Sequence, residues 1–202
     1  MRRSVLFSLW TEHLASSSPL VAAMMLVASA GRCETDMNFP AQYFRAGVGA
    51  VIVNTRGLIL ALERADIPDA WQLPQGGLEA VEEPLQAAFR EVAEETAITE
   101  SALELVHSSQ ELLVYELPPA ARSGKTGRGQ VQYWFFFRFR GSDDAIDVRS
   151  GGEFSSWKWM PFESLLDTAA DFRKPVYRRL VKQFRDYFPG SEDAGWGSAG
   201  SS

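Results

Sequence analysis

The nine residues from Val131 to Phe139, VQYWFFFRF, constrain this chain more than any other segment. Aromatic and β-branched side chains lose rotamer freedom in a helix and pack well on a pleated surface, so the run predicts a β-strand. Trp134 and Phe135 to Phe137 then belong to the core and to the opposite face of the same sheet. Such a strand needs partners. The apolar runs AGVGAVIV, ending at Val53, and LILALE, starting at Leu58, supply two of them. Asn54-Thr55-Arg56-Gly57 between them reads as a turn of polar residues and glycine. LELVHSSQELLVYEL, from Leu103, reads as extended structure, and ARSGKTGRGQ as a flexible loop. FSSWKWMPF leads into a final helix near KPVYRRLVKQFRDYF. Strands mixed with two or three helices predict one α/β domain over residues 37–188.

In WQLPQGG, Pro74 and the Gly76-Gly77 pair mark a tight loop ahead of a helix. Pro84 fits the first helical position, where its missing N–H has no intrahelical partner to lose. Leu85, Ala88, Phe89 and Val92 recur at i, i+3, i+4 and i+7, one apolar stripe. Glu91, Glu94 and Glu95 fall at i, i+3 and i+4, which predicts one surface patch away from that stripe. Like charges at this spacing repel by a few tenths of a kcal/mol per pair, and Arg90 relieves part of this by reaching Glu94. Taken alone, a glutamate-rich amphipathic helix is a solvated face. The glycine pair lets backbone approach a ligand, and Glu82 adds an acid at the helix entrance. Together these features predict an oxygen-rich cavity suited to a magnesium ion that carries phosphates.

The rest of the composition narrows the chemistry. His13 and His107 are the only histidines, and the single Cys33 has no internal disulfide partner. No Cys/His cluster exists for a structural zinc, so oxygen ligands and hard ions such as magnesium or manganese remain. A formal net charge of −6 and a pI near 5.0 exclude a broad basic surface. A polyanion would have to be held by a local cationic pocket.

Gly76, Glu82, Arg90, Glu91, Val92, Glu94, Glu95, Ala97 and Ile98 together resemble the box of the Nudix hydrolases. That pattern is Gly, five residues, Glu, seven residues, then Arg-Glu-aliphatic-any-Glu-Glu-any-Gly-aliphatic. Ala97 is the one departure, standing where glycine is usual. If the backbone there is left-handed, alanine costs on the order of 1–2 kcal/mol. WQLPQGG, GQVQYWFFF, EFSSWKWMPF and FRKPVYRRLVKQF extend the resemblance over residues 42–187. They look like the branch of bacterial RNA 5′-pyrophosphohydrolases and dinucleoside polyphosphate hydrolases.

The resemblance implies an α-β-α sandwich with a mixed central sheet and a Gly-rich loop before the box helix. It implies phosphoanhydride hydrolysis with Mg²⁺ or Mn²⁺ held by Glu91, Glu94, Glu95 and the Gly76 carbonyl. Glu94 or Glu95 would accept a proton from water, Arg90 would orient the carboxylates, and Glu82 would brace the loop. Glu153 matches a further acid supplied from outside the box. Arg45 and Arg64 look like phosphate-contacting arginines, and Tyr115 and Phe172 like aromatic positions near the nucleotide end. Lys125 and Arg128 are weaker phosphate candidates from the glycine-containing loop. The expected partner is a nucleotide polyphosphate or an RNA 5′ end, with no membrane and no obligate protein partner, in the cytoplasm. Pyrophosphate removal from triphosphorylated RNA ranks above dinucleoside polyphosphate cleavage, because the downstream match covers several separated segments. Arg173, Lys174, Arg178, Arg179, Lys182 and Arg185 favour RNA contact unless they are an ordinary solvated helix face, and the acidic tail weighs against it. A non-catalytic binding module would be expected to lack a box carboxylate, and none is missing.

Residues 1–36 read differently. Two early arginines, the apolar run PLVAAMMLVASA and Ala28-Ser29-Ala30 resemble a signal peptide, which leaves export open. The run is too short to span a bilayer. Glu12, His13 and Ser16 to Ser18 interrupt the pattern, so an extension, or a true start at Met37, is favoured. The Gly/Ser-rich residues 189–202 are expected to be a disordered tail.

Overall fold

The structure, a computed structural model, describes residues 43–188. The expected extension over 1–36 and the tail over 189–202 lie outside the described residues. Eight strands form one mixed sheet: β1 (Phe44–Val53), β2 (Ile59–Arg64), β3 (Trp71–Gln72), β4 (Gln75–Gly77), β5 (Leu103–Ser108), β6 (Leu113–Glu116), β7 (Gly129–Phe139) and β8 (Phe154–Met160). β1 and β7 pair in parallel from Phe44↔Gly129 to Val53↔Arg138. The other pairings are antiparallel: β2 and β4 on β1, β3 and β8 on β2, β5 and β6 on β7. The long segment from Leu103 is therefore two strands. Its middle leaves the sheet at Ser109, and a bulge between Leu105 and His107 shifts the register.

Among the described residues, three helices cover the sheet: α1 (Pro84–Thr96), α2 (Phe162–Thr168) and α3 (Lys174–Tyr187). Strand periodicity divides the core between two faces. Val51, Val53, Trp134 and Phe136 pack with Phe162, Leu165, Tyr177, Leu180 and Phe184 from α2 and α3. Ala50, Ile52, Leu60, Leu62, Phe135 and Phe137 pack with Ala87, Ala88 and Val92 from α1. The result is the expected α-β-α sandwich, with α1 alone on one side. The short helix α2 was not distinguished in the sequence pattern.

Helix α1 begins at Pro84, as its imide chemistry predicts. Its buried stripe is narrower than expected. Ala87, Ala88 and Val92 are buried, whereas Leu85 and Phe89 are half-buried at the margin of the same cluster. The helix ends at Ala97, which is left-handed at φ 60°, its N–H donating to the Ala93 carbonyl over 2.9 Å. Val81, fully exposed in the loop before α1, is left-handed too, at φ 61°. Neither side chain gains packing that offsets its backbone strain. Ala97→Gly and Val81→Gly are each expected to stabilise the fold by about 1 kcal/mol. In a domain of this size that is roughly a 2–4 °C rise in Tm, with hydrolysis unchanged. Thermal unfolding checks this, and a lowered Tm in both variants would overturn it.

Candidate active site

The site begins with two close backbone approaches. Gly47 on β1 and Gly76 on β4 lie in adjacent register rows, and a Cβ on Gly47 would come 2.6 Å from the Gly76 carbonyl oxygen. On the other side of β4, a Cβ on Gly76 would overlap the Glu91 carboxylate. Glycine at both positions lets β4 lie flat between β1 and α1, with Glu91 directly over it.

Behind this contact, Arg90 fixes the acids. Its Nε and Nη2 each donate to Glu82 over 2.9 Å, Nη2 also donates to the Gly77 carbonyl over 2.9 Å, and Nη1 donates to Glu91 over 2.8 Å. Glu94 lies 3.5 Å from the same Nη1. Arg90 therefore reaches Glu94 as expected, but its shorter bonds go to Glu82 and Glu91. Glu82 also accepts from the Glu79 N–H over 3.1 Å, which ties the loop to the helix. The Arg90 bonds hold the Glu82 carboxyl below the usual range. Burial pushes the Glu91 carboxyl up, against the pull of Arg90.

The three box glutamates do not form one surface patch. The Glu94 side chain is 61% exposed, that of Glu91 only 14%, and Glu95 is buried at 9%. Strand β4 packs across the helix face that carries Glu91 and Glu95, and the Gln75 N–H donates to Glu95 Oε2 over 3.0 Å. Burial drives the Glu95 carboxyl well above its ordinary range, and the charges of Glu153 and Glu91 push it the same way. Glu95 has no ion-pair partner within 4 Å among the described residues.

A cleft of about 490 Å³ opens over these groups. Gly76, Glu91, Glu94 and Glu95 form one wall, and Glu153 enters from the loop before β8. Arg45, Arg64 and Arg173 also line the cleft, with Tyr115, Gln75 and Gln130. Arg45 is exposed. Arg64 is engaged: it donates twice to Asp66, over 2.7 and 3.0 Å, and once to Glu153 over 3.1 Å. It thereby anchors Glu153 as well as facing the cleft. Arg173 had stood only among the basic residues of the last helix. It lies over the rings of Tyr115 (5.7 Å) and Phe172 (5.4 Å), and its buried Nη1 has no hydrogen-bond partner among the described residues.

Tyr115 is 5% exposed and meets Phe172 at 5.4 Å between centroids. Phe172 itself does not line the cleft; it supports Tyr115 and Arg173 from behind. Lys125 and Arg128 are also absent from the lining. Arg128 bonds Glu116 over 2.7 Å and lies over the Phe44 ring, so its charge is already matched. The loop carrying them is a hydrogen-bonded turn rather than an open one. Ser123 pairs with Gly127 and bonds Thr126, and the Tyr43 hydroxyl donates to the Gly124 carbonyl.

The donor set of carboxylate and carbonyl oxygens suits a hard divalent cation. A buried carboxylate without an ion pair, beside two more carboxylates, is costly until a cation offsets it. Among the described residues, no three acidic, histidine or cysteine side chains converge to encase an ion. Glu91 is turned to Arg90, Glu95 to the Gln75 amide and Glu153 to Arg64. Small rotations of these side chains would be needed to bring their oxygens together.

The family profile of the NUDIX domain matches residues 43–180. The RNA pyrophosphohydrolase of Acidiphilium cryptum is 42% identical over 149 residues, covering 70% of this chain and 90% of that protein. Nudix hydrolase 26, chloroplastic, of Arabidopsis thaliana is 33% identical over 169 residues, covering 79% and 77%. Among solved structures, a C. elegans Ap4A hydrolase binary complex shares the fold, with a TM-score of 0.55 and 23% identity over 71% of this chain and 99% of that one.

Proposed function

The chain belongs to the Nudix hydrolase family, whose members generally require divalent cations, and on that premise we propose that it removes pyrophosphate from the 5′ end of triphosphorylated RNA. The observation that carries this reading is the cleft itself, where a wall of three box glutamates shares about 490 Å³ with Arg45, Arg64 and Arg173. Relatives named RNA pyrophosphohydrolase, similar over about nine-tenths of their length, support the choice of substrate. The same cleft would take a dinucleoside polyphosphate, the alternative that the experiment below separates.

Glu91, Glu94, Glu95 and the Gly76 carbonyl would hold Mg²⁺ or Mn²⁺, with Glu153 completing the set. Divalent cations bound there neutralise phosphate charge and acidify an attacking water. The chain's own groups do the rest. Arg45 and Arg173, both on the cleft wall, hold the phosphates. Arg64 keeps Glu153 facing the cleft. Arg90 holds Glu91 and Glu82 in place from behind and touches no substrate. Glu94 or Glu95 takes the proton from water as it attacks phosphorus, the α–β phosphoanhydride bond breaks, and pyrophosphate separates from the 5′ monophosphate end. Tyr115 forms the wall at the nucleotide end. No described helix is long and apolar enough to cross a membrane. A cytoplasmic enzyme would meet the proposed substrate.

Initial rates on triphosphorylated RNA and on diadenosine tetraphosphate, with magnesium and with Glu94→Gln as control, test this. RNA is expected to react faster, and the control to fall by at least about a hundredfold. Faster dinucleotide cleavage would reverse the substrate assignment. An undiminished Glu94→Gln enzyme would refute the site, and no turnover of either substrate would restore the binding-module reading.

A further inference from the structure

Resting on that reading, we infer that the exposed face of α3 is a track for the body of the RNA beyond its 5′ end. The chain is acidic overall, yet α3 carries Lys174, Arg178, Arg179, Lys182 and Arg185 against the single acid Asp186. Val176, Tyr177, Leu180, Val181 and Phe184 bury the other face in the core. The helix is therefore fixed, and its cations are presented outward on a rigid support. Arg178, Lys182 and Arg185 recur at i, i+4 and i+7, a single exposed ridge. Four residues of helix rise about 6 Å, a step suited to successive phosphates of a flexible single strand.

Helix α3 starts at the cleft, because Arg173, the residue before it, lines that cleft. Arg173 falls on the buried side of the helix, so a strand with its 5′ phosphates in the cleft reaches Arg178 by rounding the first turn of α3.

The acids nearby do not cancel the ridge. Lys174 pairs with Asp171 at 2.8 Å, Arg179 with Glu111 at 3.7 Å and Arg185 with Glu163 at 3.1 Å. The Glu111 and Glu163 pairs are exposed on both sides, and such pairs exchange readily for phosphate. Arg178 and Lys182 form no hydrogen bond or ion pair among the described residues, although Asp171 lies near enough to Arg178 for their charges to interact. The buried apolar face rules out a membrane-lying helix, which would need that face in the lipid.

The test is Arg178→Glu/Lys182→Glu, with Arg56→Glu on the β1–β2 turn as a charge control and Tm as a check on folding. A triphosphorylated 12-nucleotide RNA and a triphosphorylated dinucleotide are the substrates. At 0.1 M salt, kcat/KM for the 12-mer is expected to fall by about tenfold or more, and its log–log salt slope to shrink by about 1.4. The dinucleotide rate and the Arg56→Glu enzyme should stay within about twofold of the parent. Equal losses on both substrates, or none on the 12-mer, would overturn the track. Fluorescence anisotropy with a 5′-hydroxyl 12-mer reads the surface without catalysis. Binding weakened by the double substitution supports the track even if no triphosphate is hydrolysed, and unchanged binding refutes it.

Discussion

Glu95→Gln is expected to lower turnover by about a thousandfold or more while raising the Tm of the metal-free protein. The two effects share one cause. Glu95 is a buried carboxyl with one hydrogen bond, from the Gln75 N–H, and with Glu91 and Glu153 adding negative potential. Glutamine keeps that bond through its amide oxygen and removes the charge. It should therefore stabilise the metal-free fold by about 1–2 kcal/mol, or roughly 2–8 °C. The pH dependence follows from the raised carboxyl. In the unfolded chain Glu95 ionises in the ordinary glutamate range, while the folded protein retains the proton to higher pH. Between those values, rising pH draws protons from the unfolded state alone and destabilises the fold. The Tm gain of the glutamine variant should thus be absent below the ordinary glutamate range, grow as pH rises, and be complete above the folded value. Magnesium should reverse the order, stabilising the parent more than the variant. Scanning calorimetry across pH, with and without magnesium, measures all of this. A variant less stable than the parent at neutral pH without metal would show that the buried charge is satisfied in a way this geometry lacks.

Arg90→Ala should cost less activity and more stability. One guanidinium bonds Glu82 twice, Glu91 once and the Gly77 carbonyl once. Its loss leaves two carboxylates facing each other with nothing between them. Tm is expected to drop by roughly 5–10 °C and turnover by about a hundredfold, because Glu91 loses its fixed orientation over Gly76. Lysine should rescue little, since one ammonium cannot span the donors of a planar fork. The sign with pH is opposite to that of Glu95. Arg90 depresses the Glu82 carboxyl, so its contribution is present above the ordinary glutamate range and lost as pH falls through the folded value. The gap between parent and variant should therefore close in acid. A gap that widens in acid would assign the stabilising role to another contact.

The sequence made the large elements and the box legible because both have strong local signatures. VQYWFFFRF is long and uniformly β-prone, and it forms the central strand β7. Pro84 and the four-residue spacing of Ala88 and Val92 mark α1. The short strand β4 was illegible: three residues carry no period, and Gln75-Gly76-Gly77 reads as loop. Yet β4 decides that Glu95 is buried rather than exposed. Arg64 illustrates a second limit. Its resemblance to a phosphate-contacting arginine identifies a cation near the cleft, but its bond to Glu153 depends on a loop 89 residues away. Arg173 was visible only as one basic residue among six. Its position over Tyr115 comes from tertiary packing that no local pattern encodes.

The parallel pairing of β1 with β7 also governs how the molecule comes into being. β1 meets a main partner that emerges some 85 residues later. Until β7 has left the ribosome, the face of α1 bearing Ala87, Ala88 and Val92 lacks Phe135 and Phe137 to cover it. Closing so long a loop must precede most of the reward from burial. Refolding should accordingly take milliseconds to seconds rather than microseconds. The nascent chain, with its box glutamates already synthesised, must pass through a sticky and inactive stage before it becomes an enzyme.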